Sequence, residues 1–458
     1  MKALASIRRS RTLRNTKAGP NSIKKCWPCP EKSVGRFITN IGRQSCWEAT
    51  GPARATFLTI GPLIKQHLDT YSEPTPTWIT WSIYMVGAAP ETAAPTIIFC
   101  CEDESLRKRI RDTIRDSIIL ERHSGIALKH LPRAPDYNQL VQLASSSAMD
   151  NTEALDMQNP IPFGPLVFST SRHPTMGQSL YIGTENHAGS TRKATAGGII
   201  RIHGIDCLLT AAHAFNDTPM QSSNPGHQDE DLCFSDSDDD TDILPSPRSS
   251  WSSSVTVPLK PEDAALYCVT ANKDIGKYAE TEDEPVVGIR GIQLPEYASH
   301  VGDTLFLSTE GTKEGLDYGL VRLRNGSLDA SRNDDLVFPD LMCPNTSRYL
   351  TSDLVFAHTA SAGVVSGSIS MTPTYMRLPN ATAYQEVRHI KLKEPLANGD
   401  CGSWVFDALS NSLHGHIVAG SPDSGSAYII PAYQVFEDIQ QHVEVIKQRL
   451  EQLEKLER

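Results

Sequence analysis

The chain has 458 residues, of which 39% are hydrophobic and 21% charged, with a formal net charge of -11. That length supplies ample material for a buried core and suggests two or three domains. The acidic balance argues against a general nucleic-acid binder or a protein held to anionic membranes. No run of eighteen apolar residues marks a membrane-spanning helix.

Residues 1–75 read as a basic, largely disordered leader, because Pro, Gly and Ser are frequent and the apolar clusters are short. Its start, MKALASIRRSRTLRNTKAG, lacks the apolar stretch of a secretory signal. A cytoplasmic or nuclear protein is therefore expected, not a secreted one, with a mitochondrial presequence as the alternative that the Arg- and Ser-rich, acid-free character leaves open. Ten cysteines are present, at 26, 29, 46, 100, 101, 207, 233, 268, 343 and 401. Without a secretory signal they are expected as thiols. Cys26, Cys29 and Cys46 lack an evident fourth ligand, His67 being a poor one, so neither a metal nor a cofactor is expected.

Residues 76–144 predict a small α/β accessory domain. Trp78–Val86 and Thr96–Cys101 are β-rich runs. The following stretch, Ser105–Glu121, predicts an amphipathic helix, with Leu106, Ile110, Ile114 and Ile118 recurring every four residues. Residues 145–165 read as a linker. From 166 the texture changes to short β-rich runs between turn residues (SLYIG, GGIIRI, DCLLTAA, TLFLS, YGLVRL, VVSGSISM, EVRHIKL, SWVFD and GHIVAG), the pattern of an all-β barrel or sandwich. Residues 221–254 interrupt it with QDEDLCFSDSDDDTD and a Ser/Pro-rich stretch, which cannot bury enough apolar surface to order itself. After Pro431 a helix is expected. Ile439, Val443, Ile446, Leu450 and Leu453 form a short heptad seam, suited either to packing back on the barrel or to weak self-association. Residues 446–458 read as its charged helical tail.

The chemistry-bearing residues fall within the β-rich region. Gly197-Gly198-Ile199-Ile200 precedes Leu208-Leu209-Thr210-Ala211-Ala212-His213, and Gly399-Asp400-Cys401-Gly402-Ser403 follows far downstream. A nucleophilic hydrolase needs an activatable Ser or Cys, a base beside it, a group orienting the base, and backbone N–H groups for the developing oxyanion. Asp317, in DYGLVRL, stands before an alternating strand and is a candidate orienting acid, the one favoured by the resemblance given below. Asp274 in KDIGKYA and Asp353 in SDLVFAH are the rivals.

These motifs resemble the TAAH and GDSGG signatures of trypsin- and chymotrypsin-like proteases, with cysteine in the serine's place as in the viral chymotrypsin-like cysteine proteases. The resemblance covers roughly 165–445. Its overall shape is similar to trypsin-like domains of uncharacterised fungal proteins. It implies a mainly β, two-barrel chymotrypsin-like fold over 166–445 with a C-terminal helix, and the small α/β domain in front. It also implies an intracellular endopeptidase acting on a polypeptide substrate through His213, Asp317 and Cys401, with the Gly399 and Cys401 amides as oxyanion hole. Pro395, His416, Gly420 and Ser426 would then border the specificity pocket. Pro395 in place of an acid argues against cleavage after Lys or Arg, and His416 is a candidate reader of a polar side chain.

Three departures from the family pattern stand out. Ala196 and Ala214 replace the disulfide beside the histidine. Asp400 lacks the freshly cut N-terminal amine that is its partner in secreted relatives. Ser403-Trp404 replaces Gly-Pro. Two rival readings follow: an inactive protease fold kept as a binding or scaffolding module, and a self-cleaving regulator that cuts its N-terminal region once.

Overall fold

The computed structural model describes residues 27–137, 139–143, 165–172, 174–183, 191–215, 233–234, 297–310, 315–324, 341–342, 344–346, 348, 350–379, 381–422 and 424–457. The linker, nearly all of the acidic stretch and Asp274 lie outside them. The first part of the chain contains β1 (Val34–Ile41), β2 (Gln44–Ala49), α1 (Gly51–Tyr71), β3 (Ile79–Gly87), β4 (Ala94–Cys100), α2 (Glu104–Arg115) and β5 (Ala127–Leu131). Next come β6 (Leu166–Ser169), β7 (Ser179–Gly183), β8 (Thr191–Thr195), β9 (Gly198–Ile202), β10 (Ile205–Ala211), β11 (Ser299–Leu307) and β12 (Tyr318–Leu323). The remainder is β13 (Leu341–Met342), β14 (Leu354–Thr359), β15 (Gly363–Ile369), β16 (Thr374–Arg377), β17 (Gln385–Leu392), β18 (Trp404–Asp407), β19 (Leu413–Gly420), β20 (Ser426–Pro431), α3 (Ala432–Gln441) and α4 (Val443–Glu457).

The expected mainly β, two-barrel architecture is present. β14, β15, β17, β20, β19 and β18 pair in a ring that closes on itself. The other barrel is a sheet in the order β8-β7-β6-β11-β12-β10-β9, with β13 on the β9 edge. It curls so that β8 returns to β10, where Thr210 Oγ1 donates to the Thr195 carbonyl (2.8 Å), and the Gly197 N–H extends the β9–β10 ladder to the Leu209 carbonyl (2.9 Å). Ala196 and Ala214 are both fully buried in this barrel's core.

The leader reading fails for residues 34–71, which form β1, β2 and α1. Their apolar positions Ala53, Phe57, Ile60, Ile64 and Leu68 recur at helical spacing and are all buried. Pro and Gly disguised that spacing. Pro52 sits in the first turn, where a missing N–H costs nothing, and Pro62 removes a ladder bond only to Leu58, on the exposed side. Helix α2 ends at Arg115, short of the expected Glu121, and begins on Asp103, whose carboxylate accepts the Leu106 N–H.

This N-terminal layer is not set apart from the barrels. Strand β16 pairs with β17 of the closed ring on one side and with β3 on the other. Phe57 on α1 packs edge-on against Trp81 of β3 and Tyr375 of β16, and the last two rings stack at 4.3 Å. The C-terminal seam is also spent inside the chain. Ile439, Val443, Ile446, Leu450 and Leu453 join a core that includes Phe306, Tyr318 and Trp404, and the Tyr318 hydroxyl donates to Asp438 (2.7 Å). What was read as a charged tail therefore carries a buried face.

Truncating Phe57 to Ala removes the ring that joins α1, β3 and β16. We expect a loss of about 3–5 kcal/mol in denaturant unfolding, in one transition shared by Trp81 fluorescence and far-UV signal. A separate early transition for the N-terminal layer would contradict the shared core.

Candidate active site

Strand pairing alone brings His213 to Asp317. In the β10–β12 ladder Ala211 lies opposite Tyr318, so the turn after β10 and the residue before β12 are neighbours. The Asp317 backbone is left-handed (φ 49°), a conformation that aspartate tolerates better than most side chains. Its carboxylate accepts the His213 backbone N–H on one oxygen (2.8 Å) and binds His213 Nδ1 with the other (2.6 Å). His213 is thereby oriented, and Arg192 donates to its carbonyl (3.1 Å). The other ring nitrogen, Nε2, is buried without a hydrogen-bond partner among the described residues. The rival Asp353 lies before β14, where its carbonyl accepts the Ile369 N–H.

Cys401 arrives from the other barrel on a turn between two left-handed glycines, Gly399 (φ 99°) and Gly402 (φ 94°). Thr195 of the first barrel sets this turn. Its hydroxyl donates to the Gly399 carbonyl (2.6 Å), and its N–H donates to the Cys401 carbonyl (2.9 Å). With those oxygens held toward β8, the Gly399 N–H is left to donate elsewhere. Trp404, an unexplained departure in the sequence, packs against Gly197 and Gly198. A Cβ added to either glycine would come within 2.5 Å of the indole. The two glycines and the tryptophan therefore form one inter-barrel contact.

Asp400 finds a partner without a new N-terminus. Ser361 donates to it through its hydroxyl (2.6 Å) and its backbone N–H (3.0 Å), and Ala397 through its N–H (2.7 Å). A buried carboxylate with three donors is adequately satisfied.

Burial lowers the His213 pKa, but the neighbouring Asp317 and Cys401 outweigh it and raise the imidazole from 6.5 to about 10. Burial also raises the Cys401 thiol, with His213 pulling the other way. The two groups thus titrate as a pair. The sulfur makes no hydrogen bond of standard geometry with Nε2; it accepts the backbone N–H of Leu143 (3.2 Å).

The cleft is filled by the chain itself. Leu143, fully buried, clusters with Leu396, Cys401, Ile417 and Ala427, and its carbonyl accepts the Gly399 N–H at 2.6 Å. Among the described residues the Cys401 N–H has no such acceptor. Of the four residues expected at the pocket, Gly420 alone takes that role: a Cβ there would come within 3 Å of Leu396 and Leu143. Pro395 is exposed, and the adjacent Leu396 lines the pocket in its place. His416 is corrected too, since its Nε2 binds the Asp317 carbonyl (3.0 Å) from inside the core. Burial lowers its pKa, so it braces the aspartate as a neutral ring. Ser426 donates its hydroxyl to the Asp136 carbonyl (3.1 Å) of the segment that enters the cleft, and it does not face the Leu143 side chain with that group. Thr195, Ser361, Leu396 and Leu143 carried no readable signal, since each acts only through a distant segment.

No family model matches the chain, and no curated protein matches it. Among solved structures, one similar chain is a glutamic acid-specific serine protease described as using a histidine triad in substrate binding. It is 15% identical, with a TM-score of 0.29 over 57% of this chain and 96% of that one. The inactive form of Rv3671c from M. tuberculosis is 12% identical, with a TM-score of 0.22 over 31% of this chain and 64% of that one. The active form of the same protease is 11% identical, with a TM-score of 0.22 over 30% and 58%.

Two outcomes follow from this geometry. The imidazole's raised pKa means that its pairing with Asp317 contributes stability fully below about pH 6.5 and loses it as pH rises through about 10. Asp317→Asn should lower the His213 titration midpoint in ring NMR, and its stability deficit should shrink above that pH. Ser361→Ala, which deletes a hydrogen bond to a carboxylate, should cost about 1.5–3 kcal/mol in denaturant unfolding, with Ser361→Thr recovering part of it.

Proposed function

We propose that the protein is an endopeptidase with a cysteine nucleophile. The observation that carries the reading is a carbonyl, that of Leu143, on the Gly399 N–H, while the same residue's N–H meets Cys401 Sγ beside the Asp317-held His213. His213 takes the Cys401 proton, and the sulfur attacks a peptide carbonyl whose oxygen is held by Gly399. The proton then passes to the leaving amine. Water hydrolyses the thioester, losing a proton to His213, and Cys401 is restored. Asp317 keeps the imidazole in its working tautomer. The apolar walls formed by Leu396, Ile417 and Ala427 suit a leucine-sized side chain before the scissile bond. The thiols at Cys46 and Cys100 are also buried and raised, by burial first, but an aspartate lies beside them where Cys401 has the His213–Asp317 pair.

The test is alkylation of Cys401 in Leu143→Asp, a variant that keeps the segment out of the apolar pocket, with each thiol followed by peptide mass mapping. With iodoacetamide near neutral pH, Cys401 should react about tenfold or more faster than in Leu143→Asp combined with His213→Ala. Exposed Cys29 and Cys233 serve as internal references. Equal Cys401 rates in the two proteins would remove the enzymatic reading and leave a binding module.

A further inference from the structure

The segment leading from β5 into the cleft is held at Asp136, Tyr137, Val141 and Leu143. Tyr84 donates to the Asp136 carboxylate (2.6 Å), and Ser426 to the Asp136 carbonyl (3.1 Å). The Tyr137 ring packs edge-on against Tyr428 of β20, centroids 5.7 Å apart. Val141 then pairs antiparallel with Gly420 at the end of β19. Its N–H donates to the Gly420 carbonyl (3.0 Å), and the Gly420 N–H returns a bond to the Val141 carbonyl (2.9 Å). Two residues on, Leu143 has its side chain in the apolar pocket, its N–H on Cys401 Sγ and its carbonyl oxygen on Gly399. A peptide laid on a sheet edge gains affinity from such main-chain pairing and specificity from alternate side chains. The carbonyl of Leu143 is presented as a reacting carbonyl would be.

We infer that this segment is the enzyme's own substrate, and that Cys401 cleaves the peptide bond after Leu143 within the same chain. The inference rests on the endopeptidase reading above. Cys401 Sγ bonds to the Leu143 carbonyl carbon, and the C–N bond to Ala144 breaks. His213 delivers the thiol's proton to the new Ala144 amine. Water then attacks the thioester, the Leu143 carboxylate forms, and the thiol recovers its proton. Residues 34–131 are paired through β3 to β16 and share a core with both barrels. The N-terminal product therefore stays attached after the cut and its Leu143 end remains in the pocket. Each molecule cuts itself once, and cleavage of other peptides requires the segment to leave.

Incubation of the purified full chain, followed by intact mass and N-terminal sequencing, tests this. Wild type should yield a chain ending at Leu143 and one beginning at Ala144 that co-elute in gel filtration, while Cys401→Ala stays whole. The rate should be first order and unchanged on dilution. Leu143→Asp should slow the cut at least about a hundredfold, by placing a charge in an apolar pocket, and Leu143→Met should retain it. Unchanged circular dichroism and melting of Leu143→Met guards against a folding artefact. A wild-type chain that stays intact, a cut at another bond, or a rate proportional to concentration overturns the inference. If His213-dependent alkylation of Cys401 persists in that event, the endopeptidase reading survives alone. If the alkylation advantage is absent as well, both fall.

Discussion

Asp317 has every acceptor occupied, and three of the four bonds come from its own barrel. Its two carboxylate oxygens go to His213 and its carbonyl to the Ala212 N–H, while His416 of the closed ring adds a fourth bond to that same carbonyl. A buried carboxylate is tolerable only when so satisfied, and this one gives the imidazole a single orientation. The same residue thus aligns the His213 imidazole and joins the two barrels beside Cys401. Thr195 and the Trp404 contact with Gly197 and Gly198 hold the opposite side of that seam. The turn carrying Cys401 is consequently positioned by residues of the other barrel.

The N-terminal layer extends this logic. Strand β17 pairs with β16 on one side and belongs to the closed ring on the other, and β16 pairs in turn with β3, so what precedes the barrels is continuous with them. Beyond β5 the chain is anchored at Asp136, Tyr137 and Val141 on β20 and β19. An apolar pocket beside a buried thiol would be costly to leave open to water, and Leu143 fills it. Burial raises the Cys401 thiol, while His213 and the Leu143 N–H on its sulfur pull it down.

Asp400 shows how a departure in sequence can be repaired. Two donors from Ser361 and one from Ala397, all neutral, satisfy its carboxylate. The Gly399–Gly402 turn is therefore held through Asp400 by these donors. The turn has no need of a cut after Leu143 to assemble, and Leu143 stays in the pocket with or without one.

Much of the protein was legible in its residues. The strands of both barrels follow local alternation, and His213, Asp317 and Cys401 were readable because each sits in a short motif whose backbone setting is local: a strand end, a strand start and a glycine turn. Helix α1 had the right spacing but was obscured by Pro52, Pro62 and its glycines, whose positions cost little only because of where they fall on the helix. Pro395, His416 and Ser426 were misplaced as pocket residues because which side of a strand or turn faces the cleft depends on the neighbouring barrel. Thr195, Ser361 and Leu143 could be found only in three dimensions. Each acts on a residue 39 to 258 positions away. Local propensity determined the elements and the settings of His213, Asp317 and Cys401; long-range packing alone decided what supports these three residues and what fills the space beside them.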